Sequence, residues 1–144
     1  MAQLLYDSLP GFYAQPQSSY SPGLVGGRKT PMAVVVGDFD GDSRRDVAMV
    51  GVSENTPVLI MLLANSQTSA SPKLVFLLRP KPNTPTSLGS DYLEFVAPAR
   101  IPSPDDKTVV LDLHSDAVNI VGPNVSEIAY LDHGVVRWFS VGGD

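Results

Sequence analysis

The chain has no cysteine, which excludes a disulfide framework, a zinc-thiolate site and a thiol nucleophile without fixing the cellular compartment. Basic residues are also few. Ten Lys and Arg are scattered along 144 residues against fifteen Asp and Glu, giving a net charge of -5 and a pI near 4.8. Phosphate recognition needs a clustered cationic surface, so no nucleic acid partner is expected, and an anionic membrane surface is disfavoured for the same reason. The longest apolar run, Val58 to Ala64, falls far short of the roughly 18 residues of a spanning helix, so no membrane insertion is expected. No stretch reads as a helix of more than two turns, and no nucleophile elbow, phosphate-cradling glycine loop or HExxH pattern is present.

What is present points to a β protein. The length fits one domain able to bury most of the surface of its unfolded chain, and 43% hydrophobic residues with 13 prolines suggest a globular fold rich in loops. Residues 1–30, rich in Ser, Pro, Gly, Gln and Tyr, read as an irregular lead-in anchored by Leu4, Leu5, Tyr6, Leu9, Phe12 and Tyr13. Over 31–144 short aliphatic and β-branched runs alternate with turn formers. The strand candidates are Met32 to Gly37, Val47 to Val52, Val58 to Leu63, Leu74 to Leu78, Tyr92 to Val96, Thr108 to Leu113, Ala117 to Val121, Ser126 to Leu131 and Val135 to Val141. Prolines fall between these runs, and the six between Arg79 and Pro104 leave room for at most one short strand there. Val58 to Leu63 is apolar on both faces, as a central strand buried between two layers would be. Tyr130 to Phe139 reads as a hairpin with Gly134 as its left-handed residue and Arg137 able to reach solvent. The expected architecture is an all-β single domain of short antiparallel strands, a twisted sheet or two-layer sandwich.

The chemically informative segment is Asp38-Phe39-Asp40-Gly41-Asp42-Ser43-Arg44-Arg45-Asp46. Aspartates at loop positions one, three, five and nine let alternate side chains of a tight loop converge, with the peptide oxygen of position seven, Arg44, joining them. Ca²⁺ takes about six to eight oxygens at roughly 2.3 to 2.6 Å, which four carboxylates, a carbonyl and water supply, whereas Mg²⁺ demands stricter octahedral geometry. Chance is a poor explanation. Twelve of 144 residues are Asp, so this spacing arises at random with a probability of roughly 0.7%. A solvated acidic turn is the alternative, but two carboxylates about 4 Å apart repel by about 4 kcal/mol at an effective dielectric of 20.

Val36-Gly37-Asp38-Phe39-Asp40-Gly41-Asp42-Ser43-Arg44-Arg45-Asp46-Val47-Ala48 resembles the FG-GAP or VCBS repeat, the calcium loop of integrin-type β-propellers and many bacterial secreted proteins. The resemblance implies a loop between two strands, an ion held at Asp38, Asp40, Asp42, the Arg44 carbonyl and Asp46, and an extracytoplasmic location, periplasmic or secreted. On that reading Met1-Ala2-Gln3 stands where a cleaved leader has been replaced. Ser43 departs from the family's usual glycine, which bears on the turn rather than on the ligands. Propeller blades take roughly 40 to 45 residues and a ring needs four to eight of them, so 144 residues with one such loop do not close a propeller.

Other candidates have simpler readings. His114-Ser115-Asp116 suggests a hydrolase, but triads assemble from separated elements, and a turn between two strands explains the tripeptide better. Asp105-Asp106 and His133 read as turn residues. The sequon Asn124-Val125-Ser126 is discounted beside a bacterial resemblance. Tyr130, Trp138 and Phe139 read as packing rather than a binding platform. The leading expectation is a non-enzymatic module with structural Ca²⁺ whose loops contact a protein or glycan. A secreted hydrolase with an unrecognised active site is the alternative, and a piece of a larger assembly is a third reading.

Overall fold

Side-chain alternation along the strands decides the layering. The computed structural model describes residues 9, 11–14, 34–54, 56–64, 73–78, 92–122 and 125–142, and among these there is no helix. The strands are β1 (Tyr13–Ala14), β2 (Val34–Gly37), β3 (Asp46–Ser53), β4 (Thr56–Leu63), β5 (Lys73–Leu78), β6 (Tyr92–Val96), β7 (Arg100–Pro102), β8 (Val110–Asp112), β9 (Ala117–Gly122), β10 (Val125–Asp132) and β11 (Val135–Gly142). Every pairing is antiparallel. In the first sheet β3 pairs with β4 and β4 with β5, while β1 and β2 share the other edge of β3. The second sheet runs β11-β10-β9-β6, and β7 with β8 forms a separate ribbon. Among the described residues no sheet closes into a barrel, and the fold is all-β as the sequence suggested.

β4 shows why the two sheets stack. Leu59, Met61 and Leu63 point to one side and join Val35, Phe39, Ala48 and Val50 against Leu93, Val118, Ile120 and Ala129 of the second sheet. Val58, Ile60 and Leu62 point to the other side, where Met49 and the partly buried Leu9 and Phe12 cover them. A strand apolar on both faces is therefore covered on both, by the second sheet and by the N-terminal segment, each buried aliphatic side chain contributing roughly 1.5–3 kcal/mol. The outer face of the second sheet is covered too: Ala117 and Ile128 pack with Leu111 and Leu113 beneath the ribbon, alongside Ile101, Tyr130 and Phe139.

The observed strands differ from expectation in three places. Among the described residues between Arg79 and Pro104 there are two strands rather than one, because β7 follows β6 closely. Pro102 closes β7, whose only partner among the described residues is β8, and an edge position of that kind loses nothing by lacking an N–H. Pro57 likewise falls inside β4; it pairs with Val52 of β3, while β5 begins its pairing one residue later at Val58, so that edge needs no donor from it. The strand β1 lies in the stretch expected to be irregular, held on β3 by pairing of Tyr13 with Val52. Leu9 and Phe12 do anchor that segment, while Leu4, Leu5, Tyr6 and Asn124 are outside the described residues.

The β10–β11 hairpin turns at His133 (φ 51°) and Gly134 (φ 77°) between the paired Asp132 and Val135. Two successive positive φ values make the tight primed turn whose twist matches the strands. Behind the tip, Asp132 accepts a hydrogen bond from Arg137 Nε and pairs with the His133 ring. His133 and Arg137, in that order, hold the Asp132 carboxyl below its ordinary value. Trp138 lies opposite Ala129 and packs, partly buried, on the main core. Its emission is expected to be blue-shifted in the folded chain and to move red on unfolding, and Trp138→Ala should destabilise by about 3 kcal/mol in denaturant titration. A native emission maximum equal to that of the unfolded chain would contradict this packing.

Candidate metal centre

The aspartate loop leaves β2 and enters β3, closed at its base by the pairing of Gly37 with Asp46. Phe39 is fully buried in the main core, which pins the loop inward at its second residue. Gly41 (φ 79°) and Ser43 (φ 68°) supply the left-handed residues that let so short a segment reverse. For glycine this is free of steric penalty, but for Ser43, standing where the repeat family usually has glycine, it is strained. Successive side chains brace the turn: Asp40 Oδ1 accepts from Asp42 N–H at 3.1 Å, Asp42 Oδ1 from Arg44 N–H at 2.8 Å, and Asp38 Oδ2 from Ser43 N–H at 2.9 Å.

With one oxygen of each carboxylate held by a loop N–H, Asp38, Asp40 and Asp42 converge. One ligand atom from each lies within 4.8 Å of the other two, a grouping that could hold a metal ion. Asp38 Oδ1 is buried and accepts no hydrogen bond. A buried carboxylate oxygen without a donor is costly in an otherwise satisfied structure, so the site has the acceptor a cation would use. Burial raises the Asp40 pKa above its ordinary value, and the charges of Asp46, Asp42 and Asp38 add to this against the lowering effect of the Asp42 N–H.

Asp46 is placed differently from the other three. Its side chain is 0% exposed, and both oxygens meet backbone: Oδ2 accepts from Phe39 N–H and Oδ1 from Ala64 N–H, each at 2.8 Å. Burial raises its pKa, while N–H groups of Ala64, Phe39 and Asp40 oppose the rise. Of the five positions expected to hold an ion, the structure groups Asp38, Asp40 and Asp42; Asp46 ties the loop to the end of β4, and Arg44 is exposed with its N–H on Asp42.

The turn between β8 and β9 docks onto this loop, which sequence reasoning missed. Asp38 N–H donates to Asp116 Oδ2 at 2.8 Å, Asp116 N–H returns a bond to the Asp38 carbonyl at 3.0 Å, and the Ser115 hydroxyl donates to the Phe39 carbonyl at 3.0 Å. These bonds run to the aspartate loop and not to His114, which is exposed, so the tripeptide is a brace rather than a hydrolytic triad. Gly37 makes room for it: a Cβ there would come within 2.9 Å of the Phe39 ring and 3.1 Å of Asp116 Oδ2. Asp106 keeps its carboxyl low by accepting from the Thr108 hydroxyl and N–H in an exposed turn, as expected of a turn residue.

Asp46→Asn, measured in chelator, reads the architectural role of this side chain apart from any bound ion. The amide keeps only one acceptor oxygen, so either the Phe39 or the Ala64 N–H is left facing a donor, at about 1–3 kcal/mol. Chemical denaturation in chelator should register this loss, and wild-type stability for the variant would show that the buried carboxylate does not frame the loop. Comparison of the chain with protein-family models, with curated proteins and with solved structures returns no match, and the likeness to the calcium repeat therefore rests on residues 36–48 alone.

Proposed function

We propose that the loop holds a structural Ca²⁺ and that the chain is a calcium-stabilised, non-enzymatic module working outside the cytoplasm, with its loops contacting a protein or glycan. The observation that carries the reading is the convergence of Asp38, Asp40 and Asp42 within 4.8 Å beside a buried, unpartnered Asp38 oxygen. Ca²⁺ suits such a set because it accepts carboxylates, carbonyl and water in irregular arrangements, and the Arg44 carbonyl and the remaining lone pairs of Asp46 are the further ligands we assign. Small open loops of this kind match millimolar rather than sub-micromolar free Ca²⁺, which supports the location.

The energetics make the ion a stabiliser. Asp40 and Asp46, with raised pKa values, hold their protons more tightly folded than unfolded. Their contribution to stability is therefore fullest below the unfolded value of 3.8 and is lost as pH rises through the folded values. At neutral pH a bound cation reverses that loss. Binding to the native state alone adds about 2.7 kcal/mol at one hundred times Kd, or roughly 5–10 °C in Tm for a domain of this size.

Scanning calorimetry at millimolar Ca²⁺ and in chelator tests the reading, with the higher Tm expected in Ca²⁺. Asp40→Asn should abolish the response while matching or exceeding wild-type stability in chelator, because it removes one of the crowded charges. Ser43→Gly should keep the response and gain up to about 1 kcal/mol by releasing its backbone strain. Superimposable wild-type curves in the two buffers would exclude a structural calcium site.

A further inference from the structure

We infer that Ser115 and Asp116, remote in sequence from the aspartate loop, are positioning residues of its cation site, so that ion binding and the docking of the β8–β9 turn are coupled. The inference rests on the calcium reading above. Its observation is the reciprocal pair between Asp38 and Asp116, in which each residue donates its backbone N–H to an oxygen of the other. The Ser115 hydroxyl adds a third bond at the next carbonyl, that of Phe39.

These bonds hold the backbone from which the Asp38 carboxylate projects. Its Oδ2 is fixed by Ser43 N–H, so Oδ1, buried and unpartnered, has its direction set by the main chain at Asp38. That main chain is gripped on one side by Phe39 in the core and on the other by the turn leading into β9 of the second sheet. A ligand oxygen aimed before the ion arrives loses little freedom on binding, and removing the outer partners of metal ligands typically weakens affinity 10- to 100-fold. Coupling is reciprocal: whatever factor docking adds to ion affinity, the ion adds to docking. The ion thereby fastens the first sheet to the second through a contact that neither sheet makes by strand pairing.

Isothermal titration of Ca²⁺ into the full chain tests this. Asp116→Ala should raise Kd 10- to 100-fold and Ser115→Ala about 3- to 10-fold, whereas Asp116→Asn, which keeps an acceptor for Asp38 N–H, should stay within about threefold of wild type. Ile128→Ala, on the outer face of the second sheet, serves as the comparator: it destabilises the fold without touching the loop, and its Kd should match wild type. Amide exchange at Asp38 and Asp116 should slow together when Ca²⁺ is added. An Asp116→Ala Kd within twofold of wild type would overturn the inference, as would Asp116→Asn equalling Asp116→Ala, which would make the effect one of charge. Should Asp116→Ala fail to fold, an unchanged Kd in Ser115→Ala overturns it. Absence of Ca²⁺ binding by the wild type would sink the calcium reading itself, a result distinct from binding that ignores these substitutions.

Discussion

A carboxylate with no solvent exposure, that of Asp46, is the constraint on which the rest of this site depends. An ionised group taken out of water is costly by several kcal/mol unless donors replace its hydration. Here the donors are main-chain N–H groups from Phe39 and Ala64. One belongs to the loop between β2 and β3, the other to the residue just after β4, so a single side chain fixes the loop against two neighbouring strands. With Phe39 N–H held there, its ring enters the core, and the alternating aspartates on either side of it are left to turn outward. Move Asp46 and the loop loses both its inward anchor and its closure.

Identical residues thus do different work within nine positions. Asp46 accepts a backbone N–H at each oxygen, Asp38 has one oxygen held and one without a hydrogen bond, and Asp40 and Asp42 brace the turn from its exposed side. The difference in burial between Asp38 and Asp40 falls at Phe39. Because that ring faces the core, Asp38 just before it is partly buried, while Asp40 and the residues on to Arg45 are exposed.

Much of this was legible in the sequence where a local rule decides the outcome. β4 was readable because six consecutive apolar residues fit only a strand covered on both faces, and the hairpin at Gly134 because left-handed backbone favours glycine. The aspartate spacing pointed to four converging carboxylates, of which the structure groups Asp38, Asp40 and Asp42. The same spacing offered no way to tell that Asp46 also accepts from two backbone N–H groups, since that depends on Ala64 arriving from another strand. β1 and β7 escaped notice because two- and three-residue strands are defined by their partners rather than by any period of their own. Ser115 and Asp116 carried no signal either: their role exists only once β9 is brought beside the loop, 78 residues from Asp116 to Asp38 along the chain.

The shared edge of β3 has a consequence for behaviour in a crowded solution. A long strand with one uncovered side offers a continuous row of donors and acceptors, a template on which a second molecule can add a strand. β3 avoids this by splitting that side between two short strands from separate parts of the chain, β2 along Asp46 to Met49 and β1 along Gly51 and Val52. As described, these two strands are only two and four residues long, too brief to register an incoming partner firmly. Geometry that looks like a makeshift completion of the sheet therefore acts against self-association along this side of β3.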